Sequence, residues 1–208
     1  MTVLINKFIT GPIETNTWIV HNEQKDCLIV DPSSGCSEVT GFISDNGLNP
    51  QAILLTHAHF DHFIGIPEIQ RIFGDIPVYA HPQEKILLTN AGYNGSIMIG
   101  NAITYDKDTV DVTVGKMRIG SFDLEVLFVP GHSPGGVAYK FGESLLCGDI
   151  LFAGSIGRSD FPGCDGELLI RGIKEKILTL DENTVVYPGH GGRTTVGREK
   201  RENPYLKL

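Results

Sequence analysis

The sequence has no apolar run near the ~20 residues of a membrane-spanning helix; its longest, such as Val126–Val129, are strand-sized. The opening residues, MTVLINKFITGPIETN, lack the apolar core of a secretory signal. Cysteine is sparse. Cys27, Cys36, Cys147 and Cys164 form no C-x-x-C pair. A chain of 208 residues needs no disulfide, because folding buries about 70% of its unfolded surface. The thiols therefore read as small buried or semi-exposed side chains that behave as hydrophobes. Positive charge is short as well: 17 Lys and Arg stand against 25 Asp and Glu, a formal net charge of −8. That balance argues against a general affinity for nucleic acid or anionic membrane. With charged residues at only 20%, the composition is that of a globular chain rather than a disordered one. The expectation is a soluble, cytoplasmic globular domain.

The apolar positions that are present switch between two periods. Thr17–His21 and Cys27–Val30 read as strands around the polar turn Asn22–Asp26, and the second ends at Asp31-Pro32. Ser37–Asn46 has helical spacing with Gly47 as a stop, and Ala52–Leu55 is a strand. Pro67–Phe73 is a helix with proline at its first position, followed by a strand at Val78–Ala80 and a helix over Pro82–Ala91. Strands then follow one another at Val110–Val114, Met117–Ile119, Leu124–Val129, Val137–Phe141 and Leu145–Cys147. A helix over Glu167–Leu180, capped by Asp165, carries Leu169, Ile173 and Ile177 on one face. A last strand at Thr184–Tyr187 and a helix at Val196–Glu202 complete the pattern. This order predicts two sheets packed together with helices outside.

Seven histidines occur, and three of them fall in Thr56-His57-Ala58-His59-Phe60-Asp61-His62, directly after a strand. Two apart in extended backbone, His57 and His59 project to the same side. Asp61 and His62 follow on the turn. Four ligand-capable side chains so close together are costly to bury without an ion. Imidazole with carboxylate suits zinc, iron or manganese. His132, Asp149 and His190 each follow a strand beside glycine, in Pro130-Gly131-His132, Gly148-Asp149 and Pro188-Gly189-His190. His21, at a strand end, and His81, before Pro82, read as structural.

The order H-x-H-x-D-H, then His, then Asp, then His resembles the metallo-β-lactamase superfamily. Within it the chain is most similar to the small glyoxalase II-like (hydroxyacylglutathione hydrolase-like) hydrolases. The likeness runs from Ile29-Val30-Asp31-Pro32 through Thr56–His62, Gly131–Gly136 and Gly148-Asp149 to Gly157-Arg158-Ser159-Asp160-Phe161 and Pro188–Gly191. It implies an α/β fold, an αββα sandwich of two mixed β-sheets with helices on the outer faces and a metal site at one edge. It further implies one or two divalent transition-metal ions, zinc first, with iron or manganese as alternatives. His57, His59 and His132 would bind one ion, Asp61, His62 and His190 a second, and Asp149 would bridge. Asp31 would shape the site from behind the ligands. β-Lactamases of the superfamily usually lack a histidine at the position of His62, and flavodiiron proteins carry Glu where His59 stands, so both are disfavoured. Longer glyoxalase II enzymes hold glutathione in a C-terminal helical domain. Only 18 residues follow His190, so the expectation is a single domain over 1–208 without that addition.

Water on such an ion has its pKa lowered from about 15.7 to about 7, so the expected reaction is attack of metal-bound hydroxide on a carbonyl, with Asp61 orienting the nucleophile. A thiol leaving group, with a pKa of about 8.5, departs without a general acid, whereas an amine needs one. The resulting expectation is hydrolysis of a small-molecule thioester such as S-lactoylglutathione, with no nucleic-acid or membrane partner. On the loop after Asp149, Arg158 is a candidate for a substrate carboxylate and Phe161 for an apolar wall, although Arg158 could instead pair with Asp160. Arg198, Lys200 and Arg201 read as a solvated helix face. Three alternatives stand beside the thioesterase. One is a mononuclear-iron persulfide dioxygenase, a branch that the Gly157–Phe161 stretch also resembles. The second is an ester or lactone hydrolase, and the third a metal-binding module without turnover. Against the last stands a ligand set larger than the four of a closed structural site.

Overall fold

Strand residues alternate between two hydrophobic layers, and that alternation sets the architecture of residues 3–207, which the computed structural model describes. The first sheet holds β1 (Leu4–Thr10), β2 (Thr15–His21), β3 (Asp26–Val30), β4 (Asn49–Leu54), β5 (Val78–Ala80) and β6 (Val110–Asp111) in sequence order. Its first three strands are antiparallel and its last four parallel. The second sheet begins with β7 (Gly115–Ile119), β8 (Phe122–Phe128), β9 (Val137–Phe141) and β10 (Ser144–Gly148). A separate hairpin, β11 (Leu151–Phe152) with β12 (Ser155–Ile156), follows, and β13 (Val185–Pro188) and β14 (Thr194–Thr195) complete the second sheet beside β10. The helices are α1 (Ser37–Asp45), α2 (Phe60–Phe63), α3 (Ile66–Phe73), α4 (Lys85–Thr89), α5 (Gly166–Gly172) and α6 (Val196–Glu202).

Between the sheets, Trp18, Val20, Leu28, Val30 and Leu54 pack against Phe122, Val126, Val137, Tyr139 and Leu146. The intervening residues Ile19, Ile29 and Ile53 turn the other way, onto Val39 and Ile43 of α1 and Ile66 and Ile69 of α3. On the far side Ala138, Leu145, Cys147 and Val186 meet Leu169, Ile173, Ile177 and Val196. Central strands covered on both faces are apolar at nearly every position, as here. The result is the expected αββα sandwich. Cys27, Cys36 and Cys147 are buried and unpaired, and burial pushes each thiol up to about 12. Among the described residues no helix is long and apolar enough to cross a membrane.

Several boundaries differ from the sequence-based expectation for identifiable reasons. The periodicity of β1 goes unseen because it is an edge strand with Leu4 and Ile9 exposed, so neither face is uniformly apolar. The strand expected at Val110–Val114 shrinks to two residues, and Val114 is exposed. The helix expected over Pro82–Ala91 is a 3₁₀ turn at Pro82–Glu84 followed by α4, which ends at Thr89. Asp165 does cap α5, its side chain accepting from the Leu168 N–H at 2.9 Å. The expected continuation to Leu180 instead becomes a π-helical turn over Ile173–Ile177, with the Leu178 N–H bonded back to the Ile173 carbonyl. Leu169, Ile173 and Ile177 still share one core.

Strand direction places the site. β3 and β4 are parallel, and β8, β10 and β13 all run one way. The segments leaving their C-terminal ends carry Asp31, His57, His132, Asp149 and His190, and they meet at a single edge. Ties between the sheets hold that edge: the Val137 N–H donates to the Thr56 carbonyl at 2.9 Å, the Tyr139 hydroxyl to the Leu55 carbonyl at 2.8 Å, and the Trp18 indole N–H to the Pro188 carbonyl at 3.1 Å.

Replacing the cap, Asp165→Ala, should cost about 1 kcal/mol. Urea unfolding reads this as a lower midpoint at unchanged slope; an unchanged midpoint would show that the cap contributes nothing.

Candidate metal centre

His57 and His59 leave β4 on an irregular segment, and α2 begins one residue later, so Asp61 and His62 turn back toward them. All four side chains are buried, as is His132. The rings of His57 and His59 lie 4.8 Å apart, and that of His132 lies 4.7 Å from His57 and 4.6 Å from His59. His132 Nε2 faces His59 Nδ1 at 3.0 Å and His57 Nε2 at 3.2 Å. The other ring nitrogens fix the protons. His132 Nδ1 lies 2.8 Å from the Arg158 carbonyl, an acceptor, and must carry its hydrogen there. The Thr56 hydroxyl donates to Asp31 Oδ2 at 2.6 Å, so it accepts from His57 Nδ1, 3.1 Å away. His57 Nε2 and His132 Nε2 are then both bare lone pairs aimed at one another. A cation between the three nitrogens turns that repulsion into ligation. Burial, followed by neighbouring imidazoles, holds His57 far below the usual histidine range, and burial also lowers His59 and His132. Neutral imidazoles are the form a metal requires.

The second group is built from the same edge. Asp61 Oδ2 lies 3.1 Å from His62 Nε2 and 3.3 Å from His190 Nε2, and accepts from the Thr15 hydroxyl at 2.8 Å. Asp149 sits between the groups: Oδ2 is 3.7 Å from His132 Nε2 and 3.6 Å from His190 Nε2, while Oδ1 is 3.6 Å from His62 Nε2. Burial would lower His62, but Asp61, Asp149 and Asp31 outweigh it and hold its pKa well above the usual value. Burial likewise opposes ionisation of Asp61, and the charge of His62 overcomes it, keeping the carboxyl well below its ordinary range. Neither nitrogen of His62 nor Oδ1 of Asp149 has a hydrogen bond of proper geometry, despite complete burial of these atoms. Buried polar atoms left this way call for another partner. The three groups His57–His59–His132, Asp61–His62–His190 and Asp31–His57–His62 each bring their ligand atoms within 4.8 Å of one another. The residues present therefore fit divalent transition-metal ions.

Backbone crowding makes the glycines beside the ligands necessary. A Cβ on Gly189 would collide with Asp149 Oδ1, and one on Gly148, at φ +51°, with the Thr56 hydroxyl. Asp31 itself adopts φ +52°, a strained conformation for a residue other than glycine. Its Oδ1 accepts the Thr56 N–H at 2.8 Å and its Oδ2 lies 3.0 Å from His62 Nδ1, so the strain places one carboxylate between two ligand-bearing segments.

Sequence reasoning missed Glu84. It lies in the 3₁₀ turn after β5, is buried, and spends both carboxylate oxygens on backbone: Oε2 accepts the Ala58 N–H and Oε1 the Gly135 N–H, each at 2.6 Å. Ala58 stands between two of the histidines and Gly135 is three residues past a third. One side chain thus clamps the two segments that carry the first group. Burial pushes its carboxyl up, against the pull of these N–H donors. No spacing in the sequence points to it, since it is separated from each partner by 26 and 51 residues.

A cavity of about 270 Å³ opens onto both groups and includes Arg158 and Phe161 in its wall. Phe161 stands edge-on to His59 at 5.3 Å. The guanidinium of Arg158 is held by Asp160 through two hydrogen bonds, of 2.8 and 2.9 Å, and covers the Phe161 ring at 3.8 Å. Its Nε and Nη2 are engaged by Asp160, the pairing weighed beside a role with a substrate carboxylate. Arg198, Lys200 and Arg201 pair with Glu202 and Glu182 on the surface of α6. His21 bonds Asn6 at 2.9 Å, and His81 caps the 3₁₀ turn and stacks on Phe128, as their structural reading expected.

With this geometry in place, comparison with known proteins identifies close relatives. The signature of the Metallo-beta-lactamase superfamily matches residues 10–190. A probable metallo-hydrolase, YqgX of Bacillus subtilis, is 44% identical over 201 residues, 94% of each chain. Hydroxyacylglutathione hydrolase GloC of Haemophilus influenzae is 32% identical over 197 residues, 93% of each chain. The crystal structure of BLEG-1 B3 metallo-beta-lactamase superposes with a TM-score of 0.93 at 40% identity, covering 99% of this chain and 100% of that one. That of TTHA1623 in a di-iron-bound form gives 0.87 at 36%, covering 97% and 100%.

Glu84→Ala should leave two buried N–H groups unpaired and weaken metal binding about 10–100-fold, as loss of an outer partner of metal ligands does. Glu84→Gln, which keeps one acceptor, should recover part of that loss. Competition with a chromogenic chelator measures both; unchanged affinity in Glu84→Ala would refute the clamp.

Proposed function

The chain belongs to the metallo-β-lactamase superfamily, and from that premise we propose that it is a metal-dependent hydrolase of thioesters, with S-lactoylglutathione as the reference substrate. His57, His59 and His132 would hold one ion and Asp61, His62 and His190 another, with Asp149 bridging them. Zinc is the leading choice, and the di-iron form of TTHA1623 supports iron as the alternative. Such ions supply an activated water at neutral pH and a Lewis acid for the substrate carbonyl. Asp61, pinned by the Thr15 hydroxyl, would orient the attacking water and accept its hydrogen bond. Asp31 Oδ2 lies 3.0 Å from His62 Nδ1 and would support the ring as an ionic partner.

One observation carries the choice of bond. Among the described residues lining the cavity, every titratable side chain except the paired Arg158 is one of the proposed ligands. No side chain is left to protonate a departing amine, whereas a thiol with pKa about 8.5 leaves as its anion. Similarity to GloC over 93% of its length supports thioester work by a chain of this size, and we read residues 1–208 as one catalytic domain.

The test is elemental analysis followed by turnover of S-lactoylglutathione with and without chelator. Two metal equivalents and chelator-sensitive hydrolysis are expected. One equivalent of iron with oxygen uptake on glutathione persulfide would replace the hydrolase by a dioxygenase, and faster opening of a chromogenic β-lactam or of a lactone would move the substrate class. Asp149→Ala should lose at least one metal equivalent and at least about a hundredfold in activity, since a ligand matters more than its outer partners. Full activity in that variant would overturn the bridging assignment.

A further inference from the structure

The mouth of the cavity carries apolar side chains that the hydrolytic machinery does not use. Ile13 comes from the turn between β1 and β2, and Met98 and Ile99 from a 3₁₀ turn at Ser96–Ile99; with Phe60 and Phe161 they line the same cavity as Asp149 and His190. Met98 is 72% exposed, and Ile13 and Ile99 are each 44% exposed. The turn that presents them is tied down. The fully buried Asn94 donates to the Leu87 and Ile103 carbonyls at 2.8 Å, and its side-chain oxygen accepts the Ser96 N–H at 3.0 Å. Its backbone carbonyl accepts the Phe60 N–H at 3.0 Å, and the Ser96 hydroxyl accepts the Ile103 N–H at 3.0 Å. An apolar surface held rigidly in water beside a reactive centre marks a binding wall.

Charge narrows what fits there. Arg158 is the only Lys or Arg among the described lining residues; Asp160 holds its Nε and Nη2, and the guanidinium covers the Phe161 ring. Among the described residues, the one cation on the wall is already paired with Asp160, and there is no row of donors for peptide amides. The thiol half of a biological thioester is rich in such amides, while the acyl half can be plain hydrocarbon. We infer that Ile13, Phe60, Met98, Ile99 and Phe161 form a cradle for an unbranched aliphatic acyl group next to the scissile carbonyl, so that the enzyme favours medium-chain acyl thioesters over lactoyl ones. This rests on the hydrolase reading of the same site and deepens it.

Titration calorimetry of the metal-loaded protein with straight-chain carboxylates from acetate to octanoate, the corresponding products, tests the cradle apart from turnover. Affinity should rise about three- to fourfold per added methylene while the chain lies on the wall. Met98→Ser, and Ile13→Ser with Met98→Ser, should flatten that rise and leave acetate binding unchanged; both positions are exposed, so neither change threatens folding. Equal affinity for acetate and hexanoate, or a rise untouched by the substitutions, overturns the cradle. A rate that climbs with the alkyl length of the thiol and not of the acyl group overturns it too. Chain-length-dependent binding without turnover of any matching thioester keeps the cradle and removes the hydrolase reading. Turnover indifferent to acyl length, together with flat binding, does the reverse.

Discussion

Between His132 Nε2 and the nitrogens of His57 and His59, 3.0–3.2 Å away, there are not enough protons for every contact. Beside them His62 lies among three carboxylates. Burying six such groups together, with Asp149 partly buried beside them, calls for a cation among them. Much of the surrounding structure answers to that constraint. Glycine stands where a Cβ would strike Asp149 or Thr56, Asp31 accepts a strained backbone, and both sheets end at the same edge so that each can deliver ligands.

Precision in such a site comes from the groups behind the ligands. Asp31 ties the end of β3 to Thr56 and His62, and Glu84 ties the His57–His59 segment to the His132 loop. The Arg158 carbonyl selects the His132 tautomer. Each is a contact between segments on different elements, so the ligand cluster is held by the sandwich as a whole rather than by any one loop. The cavity beside it joins the candidate ligands to an apolar turn anchored by Asn94.

Most of the architecture was legible because both central strands and outer helices bury apolar residues at regular spacing. Thr17–His21, Val78–Ala80, Val137–Phe141 and Val196–Glu202 fall where the pattern puts them. Failures cluster where periodicity carries no information. β1 is a half-exposed edge, the Ser96–Ile99 turn exposes its apolar residues, and the π turn after α5 keeps its buried face while changing its hydrogen bonds.

By itself the sequence nominated the candidate ligand set. H-x-H-x-D-H is a local arrangement, and the remaining three candidates advertise themselves as polar residues between glycines at strand ends. Only the tertiary structure decided what those ligands are held by and what they face. Glu84, Thr15, the engaged fork of Arg158 and the wall of Ile13 and Met98 all act through neighbours distant in the chain. Hydrogen bonds and packing reach only a few ångströms, so which distant segments share them is settled when the two sheets close on one another and not before.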